Sequence, residues 1–411
     1  MKRIIICMDG TWQSLNQDNL TNIGILARSI AHKETRPDGS HIEQIVIYTQ
    51  GVGSSIGALT QRGFFAEASY RFNRLAGGAF GEGLEDGIVD TYLRLAFDYE
   101  KGDEIYIFGF SRGAFAARRL AGFINTAGIV SRRFTHKARD GFRLYYEKPH
   151  HDAPDAEKQE HAEAARQFRM LYGKGGRRAD GTREQLDEVP PIQFLGVFDT
   201  VAQRGLADVI AGFTPWKDKL RYTFSNYHVP ANVLNARHAC ATDEARLGFP
   251  VLIWDSLEED NQRAGRPDAY QQRWFIGTHG DIGGGEGSKL SAQTLKWMAE
   301  GARDAGLRFY ATHGDDTSPL DDALKEAGLC FDADISRPKS FWKALQPMNY
   351  PLRPRKVWSR KNKPTVQDLT AFFDASVLER YGAENLRPRY RPEQLKPFKS
   401  VMKEWDPRLR G

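Results

Sequence analysis

A strand pattern, a turn bounded by glycines and an alanine-rich helix follow one another within residues 105–120, IYIFGFSRGAFAARRL. The turn is Gly-Phe-Ser-Arg-Gly, with Ser111 at its centre. It must be tight, because a side chain at Gly109 or Gly113 would collide with the neighbouring strand or helix. A G-x-S-x-G sequence is a weak signal by itself, but a strand before it and a helix after it are typical of a nucleophile elbow. The segment therefore predicts a serine raised above the carboxyl edge of a sheet.

The same alternation of apolar strands and amphipathic helices continues along much of the chain. It favours an α/β fold with a mainly parallel sheet, helices on both faces, and helical or loop insertions. The nucleophile-elbow turn makes the predicted fold α/β-hydrolase-like. The predicted strands are 2–8, 43–53, 103–110, 191–201, 250–256 and 273–281, and the predicted helices are 19–31, 88–99, 114–127 and 291–304.

With 411 residues the chain is long enough to bury one large core, and we predict a single catalytic domain over 1–411. Two regions interrupt the alternation of strands and helices. Residues 137–190 are polar and mostly helical at first, so we predict a helical insertion or cap there. Residues 306–411 are rich in proline and arginine, and we predict a C-terminal extension that packs on the core.

The sequence contains no apolar stretch that is long enough to span a bilayer, and no apolar signal region follows Lys2 and Arg3. We therefore expect a cytoplasmic protein, and export by a route other than Sec stays open. The three cysteines, Cys7, Cys240 and Cys330, lie far apart without metal-ligand spacing. This pattern favours buried free thiols, and the chemistry predicted below requires no metal and no cofactor.

Positive charge is concentrated near the C-terminal end. The whole chain has a formal net charge of +5, whereas residues 351–411 contain fifteen Lys and Arg against seven Asp and Glu. The densest part, RPRKVWSRKNK at 353–363, is interpreted as a solvated basic loop or as a peripheral contact for an anionic lipid surface. The aromatic segment GFFAEASYRF at 63–72 is interpreted as core packing or as a membrane contact. Since no nucleic-acid-binding motif accompanies these residues, we predict no nucleic-acid partner.

A serine nucleophile needs a base and a group that orients the base. In α/β hydrolases the order along the chain is serine, acid, histidine. Asp199, at the end of the predicted strand in LGVFDTV, is the candidate acid, and His279, after the last predicted strand in WFIGTHGD, is the candidate base. Asp281 and Asp243 remain rival orienters, and Asp281 is alternatively interpreted as a brace for the glycine turn that follows it.

The first predicted strand, in IIICMDGTW, ends in Asp-Gly-Thr. A dehalogenase-type phosphatase would place its nucleophilic aspartate two residues before Asp9, where this chain has Cys7, so that interpretation lacks its reacting carboxylate. A serine hydrolase needs only a backbone donor from this loop. We predict that the N–H of Gly10 or Thr11 pairs with the N–H of Arg112 in an oxyanion hole. Asp9 is predicted to hold the loop through hydrogen bonds to backbone N–H groups.

Nine segments, in the same order, resemble the catalytic domain of the class-one type VI secretion phospholipase effectors. The resemblance implies an α/β-hydrolase-like fold, cleavage of the acyl esters of phospholipids, a nucleophile at Ser111, an acid at Asp199 and a base at His279. It leaves open whether a secretion spike or an immunity protein is a partner. The segments are MDGTW (8–12), TQGVG (49–53), GFSRGAFAARRLAG (109–122), GVFDTV (196–201), ARHACATDEARLGFP (236–250), WFIGTHGDIGGG (274–285), LSAQTLKWM (290–298), DASVLERY (374–381) and YRPEQL (390–395).

The residues and the resemblance together predict a serine hydrolase that cleaves acyl esters, with a phospholipid as the substrate. Two alternatives stay open. One is a carboxylesterase that acts on small soluble esters, and the other is a non-catalytic binding protein that retains the fold.

Overall fold

The structure is a computed structural model. The predictions for Thr11, Cys330, segment 63–72 and most of 353–363 fall outside the residues that it describes. Those residues are 1–10, 13–51, 79–150, 153–175, 186–201, 228–246, 249–311, 318–325, 327, 334–335, 355, 363–383 and 389–405.

A seven-stranded sheet forms the centre of the fold. Its strands are β1 (Arg3–Met8), β2 (Lys33–Thr35), β3 (His41–Thr49), β4 (Glu104–Phe110), β5 (Ile192–Phe198), β6 (Ala236–Ala241) and β7 (Tyr270–Phe275). They lie in the order β2-β3-β1-β4-β5-β6-β7. All neighbouring pairs are parallel except β2 and β3, which are antiparallel at one edge.

Helices follow most of the strands. They are α1 (Asn22–Ser29), α2 (Ala79–Asp98), α3 (Arg112–Ala127), α4 (Ala138–Tyr146), α5 (Asp155–Tyr172), α6 (Leu257–Ala264), α7 (His279–Gly283), α8 (Ser291–Asp304), α9 (Pro319–Lys325), α10 (Val366–Phe372), α11 (Ala375–Gly382) and α12 (Lys399–Trp405), with 3₁₀ helices at Arg132–Lys137 and Glu393–Phe398. Among the described residues, none of these helices combines the length and the apolar composition needed to cross a bilayer.

The central strands are buried on both faces. Along β1, Ile4, Ile6 and Met8 join the core formed with α2, α3, α4 and α5, whereas Ile5 and Cys7 join the core formed with α1, α8 and α9. Successive side chains of a strand point to opposite faces, so one strand contributes to two cores. The predicted α/β class, a mainly parallel sheet with helices on both faces, is confirmed.

The order of the strands creates a switch point between β1 and β4. The chain adds β3 on one side of β1, and then adds β4 and all later strands on the other side. At such a point the loops that follow two neighbouring parallel strands diverge and leave a crevice at the carboxyl edge of the sheet. Asp9 follows β1 and Ser111 follows β4, so both predicted site loops flank this crevice.

One predicted strand is wrong. Residues 250–256 form only an isolated bridge at Val251, and β6, at Ala236–Ala241, occupies the place between β5 and β7 instead. Pro250 has no N–H to donate to a neighbouring strand. Trp254 is buried in the core beneath the sheet rather than within it.

Helices α4 and α5 lie in the predicted insertion, 137–190, and pack beside α3. Phe142 and Tyr145 of α4 and Phe168 of α5 belong to the same core as Phe123 of α3. The rings of Phe123 and Phe142 meet edge to face, with centroids 5.3 Å apart. This part of the insertion therefore enlarges the main core, and its role as a cap over the site stays a prediction.

The parts of the C-terminal extension at 363–383 and 389–405 lie along β7, at the edge of the sheet, whereas α9 packs on α1 and α8. Phe373 forms a bridge with Trp274 of β7, and the N–H of Asp374 donates to the Trp274 carbonyl at 2.9 Å. Leu369 and Phe398 belong to the hydrophobic cluster that buries Trp274. The extension thus covers an edge that would otherwise expose unpaired backbone groups.

Two of the cysteines are free and buried, Cys7 on β1 and Cys240 on β6, which confirms the prediction for both. Burial raises the pKa of each thiol, and the nearby carboxylates Asp9 and Asp199 raise it further. Neither thiol is therefore a reactive thiolate at neutral pH.

Candidate active site

Ser111 lies in the turn between β4 and α3 with φ 59° and ψ −122°, a conformation that L-residues rarely adopt. Close approach of the backbone explains the two glycines of the turn. A Cβ atom at Gly109 would lie 2.5 Å from the carbonyl oxygen of Gly113, and a Cβ atom at Gly113 would lie 2.2 Å from that of Met8. The Ser111 N–H donates to the Phe198 carbonyl at 3.0 Å, which ties the turn to the end of β5.

His279 is the first residue of α7, directly after the turn that follows β7. The helix begins with a capping box, in which the N–H of Thr278 donates to Asp281 Oδ2 at 2.8 Å. Two aromatic rings flank the imidazole, with centroid distances of 4.8 Å to Phe110 and 5.0 Å to Phe249. Capping and packing together restrict the orientation of the imidazole.

The structure brings Ser111, His279 and Asp199 together in one hydrogen-bonded series. His279 Nε2 lies 2.8 Å from Ser111 Oγ, and His279 Nδ1 lies 2.6 Å from Asp199 Oδ2. All three side chains are buried. With Asp199 ionised, Nδ1–H donates to the carboxylate and Nε2 is left to accept the hydroxyl proton of Ser111.

Asp199 follows β5 and is fully buried. Its backbone also has a positive φ, 40°, and its N–H donates to the Ala239 carbonyl at 2.7 Å. Burial favours the neutral carboxyl, but the guanidinium of Arg355 and then the hydrogen bond from His279 outweigh it and hold the pKa of Asp199 well below its ordinary value. The carboxylate is therefore ionised throughout the neutral range.

Arg355 is a site residue that the sequence interpretation missed. The sequence predicts a solvated or membrane-facing loop at 353–363, but the side chain of Arg355 is only 6% exposed. It donates to both oxygens of Asp199, at 2.6 and 3.0 Å. The sequence could not predict this ion pair, because 156 positions separate Arg355 from Asp199.

The two rival orienters brace the turn before His279. Asp281 accepts the N–H of Thr278, as the alternative interpretation of Asp281 as a brace suggested, although the braced turn precedes α7. Asp243 Oδ2 accepts the N–H of Gly277 at 2.7 Å and the hydroxyl of Tyr390 at 3.0 Å. Burial raises the pKa of Asp243 to about 6. In this geometry the carboxylate bonded to the imidazole is that of Asp199.

Glu244 also supports His279 and was not predicted. Its Oε2 lies 3.2 Å from the N–H of His279, which donates to it. Burial opposes ionisation of Glu244, but Arg246 outweighs burial and lowers the pKa of this carboxyl. Both residues lie in ARHACATDEARLGFP, a segment to which the sequence interpretation assigned no site role beyond the rival orienter Asp243.

The carboxylate of Asp9 bonds to one backbone N–H and to two side-chain hydroxyls, whereas the sequence predicts backbone N–H groups as its partners. It accepts the N–H of Gly10 at 2.7 Å, the hydroxyl of Thr21 at 2.9 Å and the hydroxyl of Tyr48 at 2.6 Å. Burial raises the pKa of Asp9, although the three hydrogen bonds oppose this effect. The loop is therefore fixed by a buried acceptor at the mouth of the crevice.

The oxyanion hole stays a prediction. The N–H of Gly10 is already engaged by Asp9 Oδ1, so this donor is not directed at Ser111 in the structure. Arg112 is the first residue of α3, and its N–H belongs to the end of a helix that stabilises negative charge.

A parallel α/β sheet with a serine turn, a histidine and an aspartate joined at its carboxyl edge is typical of the α/β hydrolases. Residues 2–301 match the family described as T6SS, Phospholipase effector Tle1-like, catalytic domain. The chain therefore belongs to this Tle1-like catalytic-domain family.

Among curated proteins the chain is similar to Uncharacterized protein YEL023C of Saccharomyces cerevisiae, with 30% identity over 263 residues. The match covers 62% of this chain and 33% of the yeast protein, so it spans about a third of that relative. Two similar solved structures are an uncharacterized protein from Pseudomonas aeruginosa (17% identity, 79% of this chain, 48% of that chain, TM-score 0.37) and the Tle1 effector bound to the VgrG spike of the type 6 secretion system (17%, 70%, 52%, 0.34). A third is the butyrate-bound esterase Est2 of Thermogutta terrifontis (15%, 76%, 86%, 0.28).

Proposed function

We propose that the protein is a serine hydrolase that cleaves the acyl esters of phospholipids. Ser111 is the nucleophile, His279 the general base and Asp199 the group that orients the imidazole. The observation that carries the proposal is the hydrogen-bonded series from Ser111 Oγ through the imidazole to Asp199, at 2.8 and 2.6 Å.

The reaction proceeds in two acyl transfers. His279 Nε2 takes the proton of Ser111 as Oγ attacks the ester carbonyl, and then gives that proton to the leaving alcohol. Water next attacks the acyl-enzyme with the same imidazole as base, which releases the fatty acid. The carboxylate of Asp199 stabilises the imidazolium in both steps. No metal and no cofactor takes part in these steps.

The negative charge that develops on the carbonyl oxygen needs two donors. The N–H of Arg112 at the start of α3 is one, and the loop of Gly10 and Thr11 supplies the other. Each donor lowers the barrier by roughly 3 kcal/mol. For Gly10 to serve, its N–H must leave Asp9 Oδ1, which now accepts it at 2.7 Å, so Thr11 is the better candidate of the two.

Family membership supports a phospholipid as the substrate, because the matching domain is described as the catalytic domain of phospholipase effectors. The same description names the type VI secretion system and so supports export by that route; co-purification with a spike protein tests whether a spike is a partner. Peripheral contact with a bilayer follows from the substrate, since the ester bond lies at the lipid surface.

A labelling and turnover experiment tests the proposal. The wild-type protein, Ser111→Ala and Ser29→Ala are incubated with a fluorophosphonate probe, with a p-nitrophenyl butyrate solution, and with phosphatidylcholine and phosphatidylglycerol vesicles whose products are analysed by mass. Ser29 is a matched control, because it is a buried serine that donates to the Ile25 carbonyl in α1. We expect labelling and lipid products with wild type and Ser29→Ala, and none with Ser111→Ala.

Each other outcome selects an alternative. Turnover of the soluble ester without vesicle products indicates a carboxylesterase. Absence of labelling and of turnover with every substrate indicates a binding protein that retains the fold. Labelling that persists in Ser111→Ala removes Ser111 from the mechanism.

A further inference from the structure

The residue that holds the carboxylate of the site lies after residues 2–301, which match the family model, and before the two resembling segments at 374–381 and 390–395. The match ends at residue 301, whereas Arg355 lies in the C-terminal extension. Its Nη1 donates to Asp199 Oδ1 at 2.6 Å and its Nη2 to Oδ2 at 3.0 Å. Two such bonds from one planar guanidinium fix the plane of the carboxylate, and with it the direction in which Oδ2 meets His279.

The same guanidinium also holds the segment beside the imidazole. Nη1 donates to the Ala241 carbonyl at 3.2 Å, at the end of β6, and Nη2 donates to the Phe249 carbonyl at 2.7 Å. The ring of Phe249 in turn packs on the ring of His279. One buried cation therefore connects the acid, the end of a central strand and the aromatic ring that contacts the base.

We propose that Arg355 is a positioning residue of the active site, which fixes Asp199 for His279 and neutralises its charge. The inference rests on the proposed function of Ser111, His279 and Asp199. It makes the C-terminal extension a required part of the catalytic unit.

Charge neutralisation has a consequence for the proton on the base. A buried carboxylate with no cation beside it shares an additional proton with its imidazole up to a higher pH. Despite burial, Arg355 holds the pKa of the Asp199 carboxyl well below its ordinary value, so the carboxylate accepts Nδ1–H and leaves Nε2 ready to accept the proton of Ser111. The guanidinium thus widens the pH range of activity on the acid side.

The nearby cation Arg118 is also buried, but it donates to the Leu252 carbonyl and lies over the ring of Trp254. Burial lowers the pKa of His238 to about 3, so this imidazole is neutral. Burial raises the pKa of the Cys240 thiol, which is neutral as well. Glu244, beside the N–H of His279, is paired with Arg246 at 2.6 Å.

The test compares Arg355→Gln and Arg355→Lys with wild type and with Arg391→Gln. Arg391 is a matched control, because it is an arginine of the same extension that donates to the carbonyls of Tyr381 and Tyr390. We measure kcat and KM for p-nitrophenyl butyrate from about pH 5 to about pH 9, thermal unfolding, and the NMR titration of the His279 imidazole.

For Arg355→Gln we expect kcat to fall about tenfold or more with KM unchanged, and the acid limb of the kcat/KM profile to move up by about one pH unit or more. Arg355→Lys keeps the charge but not the paired bonds, so we expect kcat to fall while the acid limb moves less. Arg391→Gln should match wild type in both. The imidazole titration should move with the acid limb.

The opposite result is clear-cut. If the variants at Arg355 lose only thermal stability and keep the wild-type kcat, acid limb and imidazole titration, Arg355 is merely structural. Should Arg355→Gln fail to fold, the kcat, acid limb and imidazole titration of Arg355→Lys decide between a positioning role and a merely structural one. Failure of the proposed function would show instead in wild type, as absent turnover, and the imidazole titration would still test the effect of Arg355 on the pair.

Discussion

The nucleophile and the acid–base pair of the site are assembled in opposite ways. Ser111 takes its position from its neighbours in sequence, between β4 and α3, with Gly109 and Gly113 on either side. The bond between His279 and Asp199 joins residues 80 positions apart, and Arg355 lies 156 positions from Asp199. One half of the site is therefore local and steric, whereas the other is long-range and electrostatic.

The two halves share one feature, which is strain. Among the residues that the structure describes, Ser111 and Asp199 are the non-glycine residues with a positive φ. Such conformations persist only where the surroundings over-determine them. At Ser111 the surroundings are packed backbone, and at Asp199 they are hydrogen bonds to Ala241, His279 and Arg355. The comparison predicts that one added carbon atom disrupts the turn at Ser111, whereas a change of charge disrupts the arrangement of Asp199 and His279.

The largest effect is expected when the charge at the centre of the electrostatic half is removed. Asp199→Asn should lower kcat about 10⁴-fold, because the amide no longer fixes the tautomer of His279 or stabilises the imidazolium. It also leaves Arg355 buried without its anion, so the midpoint of thermal unfolding should fall. Steady-state kinetics and thermal unfolding measure the two effects.

Asp281→Asn is the matched control, since Asp281 caps the helix of His279 through Thr278. It should reduce the free energy of unfolding by about 1 kcal/mol and change kcat by less than about tenfold. A large loss of kcat in Asp281→Asn with a small loss in Asp199→Asn would make Asp281 the orienter.

The next effect tests the steric half. Gly113→Ala places a Cβ atom 2.2 Å from the Met8 carbonyl oxygen, a backbone atom of a central strand that cannot move aside. We expect a loss of several kcal/mol, about 3 to 5, in the free energy of unfolding, together with loss of fluorophosphonate labelling. Denaturant unfolding and labelling are measured on the same preparation.

Gly87→Ala in α2 is the control, because a Cβ atom there meets nothing within 4 Å. It should be neutral or stabilise the protein by up to about 1 kcal/mol. If Gly113→Ala were as well tolerated as Gly87→Ala, close packing would not be what holds the nucleophile turn.

The difference between the two halves also explains what the sequence could predict. Five consecutive residues predict the turn at Ser111. Asp199 and His279 were predicted because each follows a predicted strand and because they come after the serine in the order acid, then histidine. Arg355 could not be found, because a single arginine in a basic stretch carries no mark of burial. Glu244 and Phe249 were missed for a related reason, since their contacts to His279 exist only once β6 and β7 are paired.

The fold shows the same division. The apolar strands and the long helices were predicted from their periodicity, whereas β6 was not, because ARHACA has few of the branched and aromatic residues that mark a strand. Its place in the sheet comes from pairing with β5 and β7 on both sides. The strand β2, Lys33–Thr35, is three polar residues long, which is too short to show the alternation of apolar and polar residues that predicts a strand.

A third prediction concerns the loop after β1, which lies between the two extremes. Asp9 is near the nucleophile turn, but its partner Tyr48 lies on β3 and donates to Oδ2 at 2.6 Å. Tyr48→Phe removes this bond and leaves the buried carboxylate less satisfied, so we expect a loss of about 1 to 3 kcal/mol in the free energy of unfolding. If the loop carries an oxyanion donor, kcat should fall as well, with little change in KM.

Tyr310→Phe provides the comparison, since Tyr310 is an exposed tyrosine whose ring meets that of His32 on the surface. It should alter neither quantity measurably. A destabilised Tyr48→Phe protein with wild-type kcat would separate the loop from catalysis and leave the second oxyanion donor to be found elsewhere.

The smallest effect on kcat is expected at Asp243, where the C-terminal extension meets the turn before His279 through Tyr390. Burial raises the pKa of Asp243 to about 6 in the folded protein, above the value of about 3.9 for a free aspartate. The folded state therefore binds this proton more tightly than the unfolded chain does. Its contribution to stability is complete below about pH 4 and is lost as the pH rises to about 6.

Asp243→Asn removes this dependence and can still accept from Gly277 and Tyr390 through its amide oxygen. We expect wild type to lose stability relative to Asp243→Asn between about pH 4 and about pH 6, with parallel curves above that range, as measured by denaturant unfolding at each pH. Asp18→Asn, at an exposed aspartate, should run parallel to wild type throughout. If the stability curve of Asp243→Asn also runs parallel to that of wild type, the Asp243 carboxyl is ionised in the folded protein across this range. Tyr390 then donates to a carboxylate rather than to a protonated carboxyl.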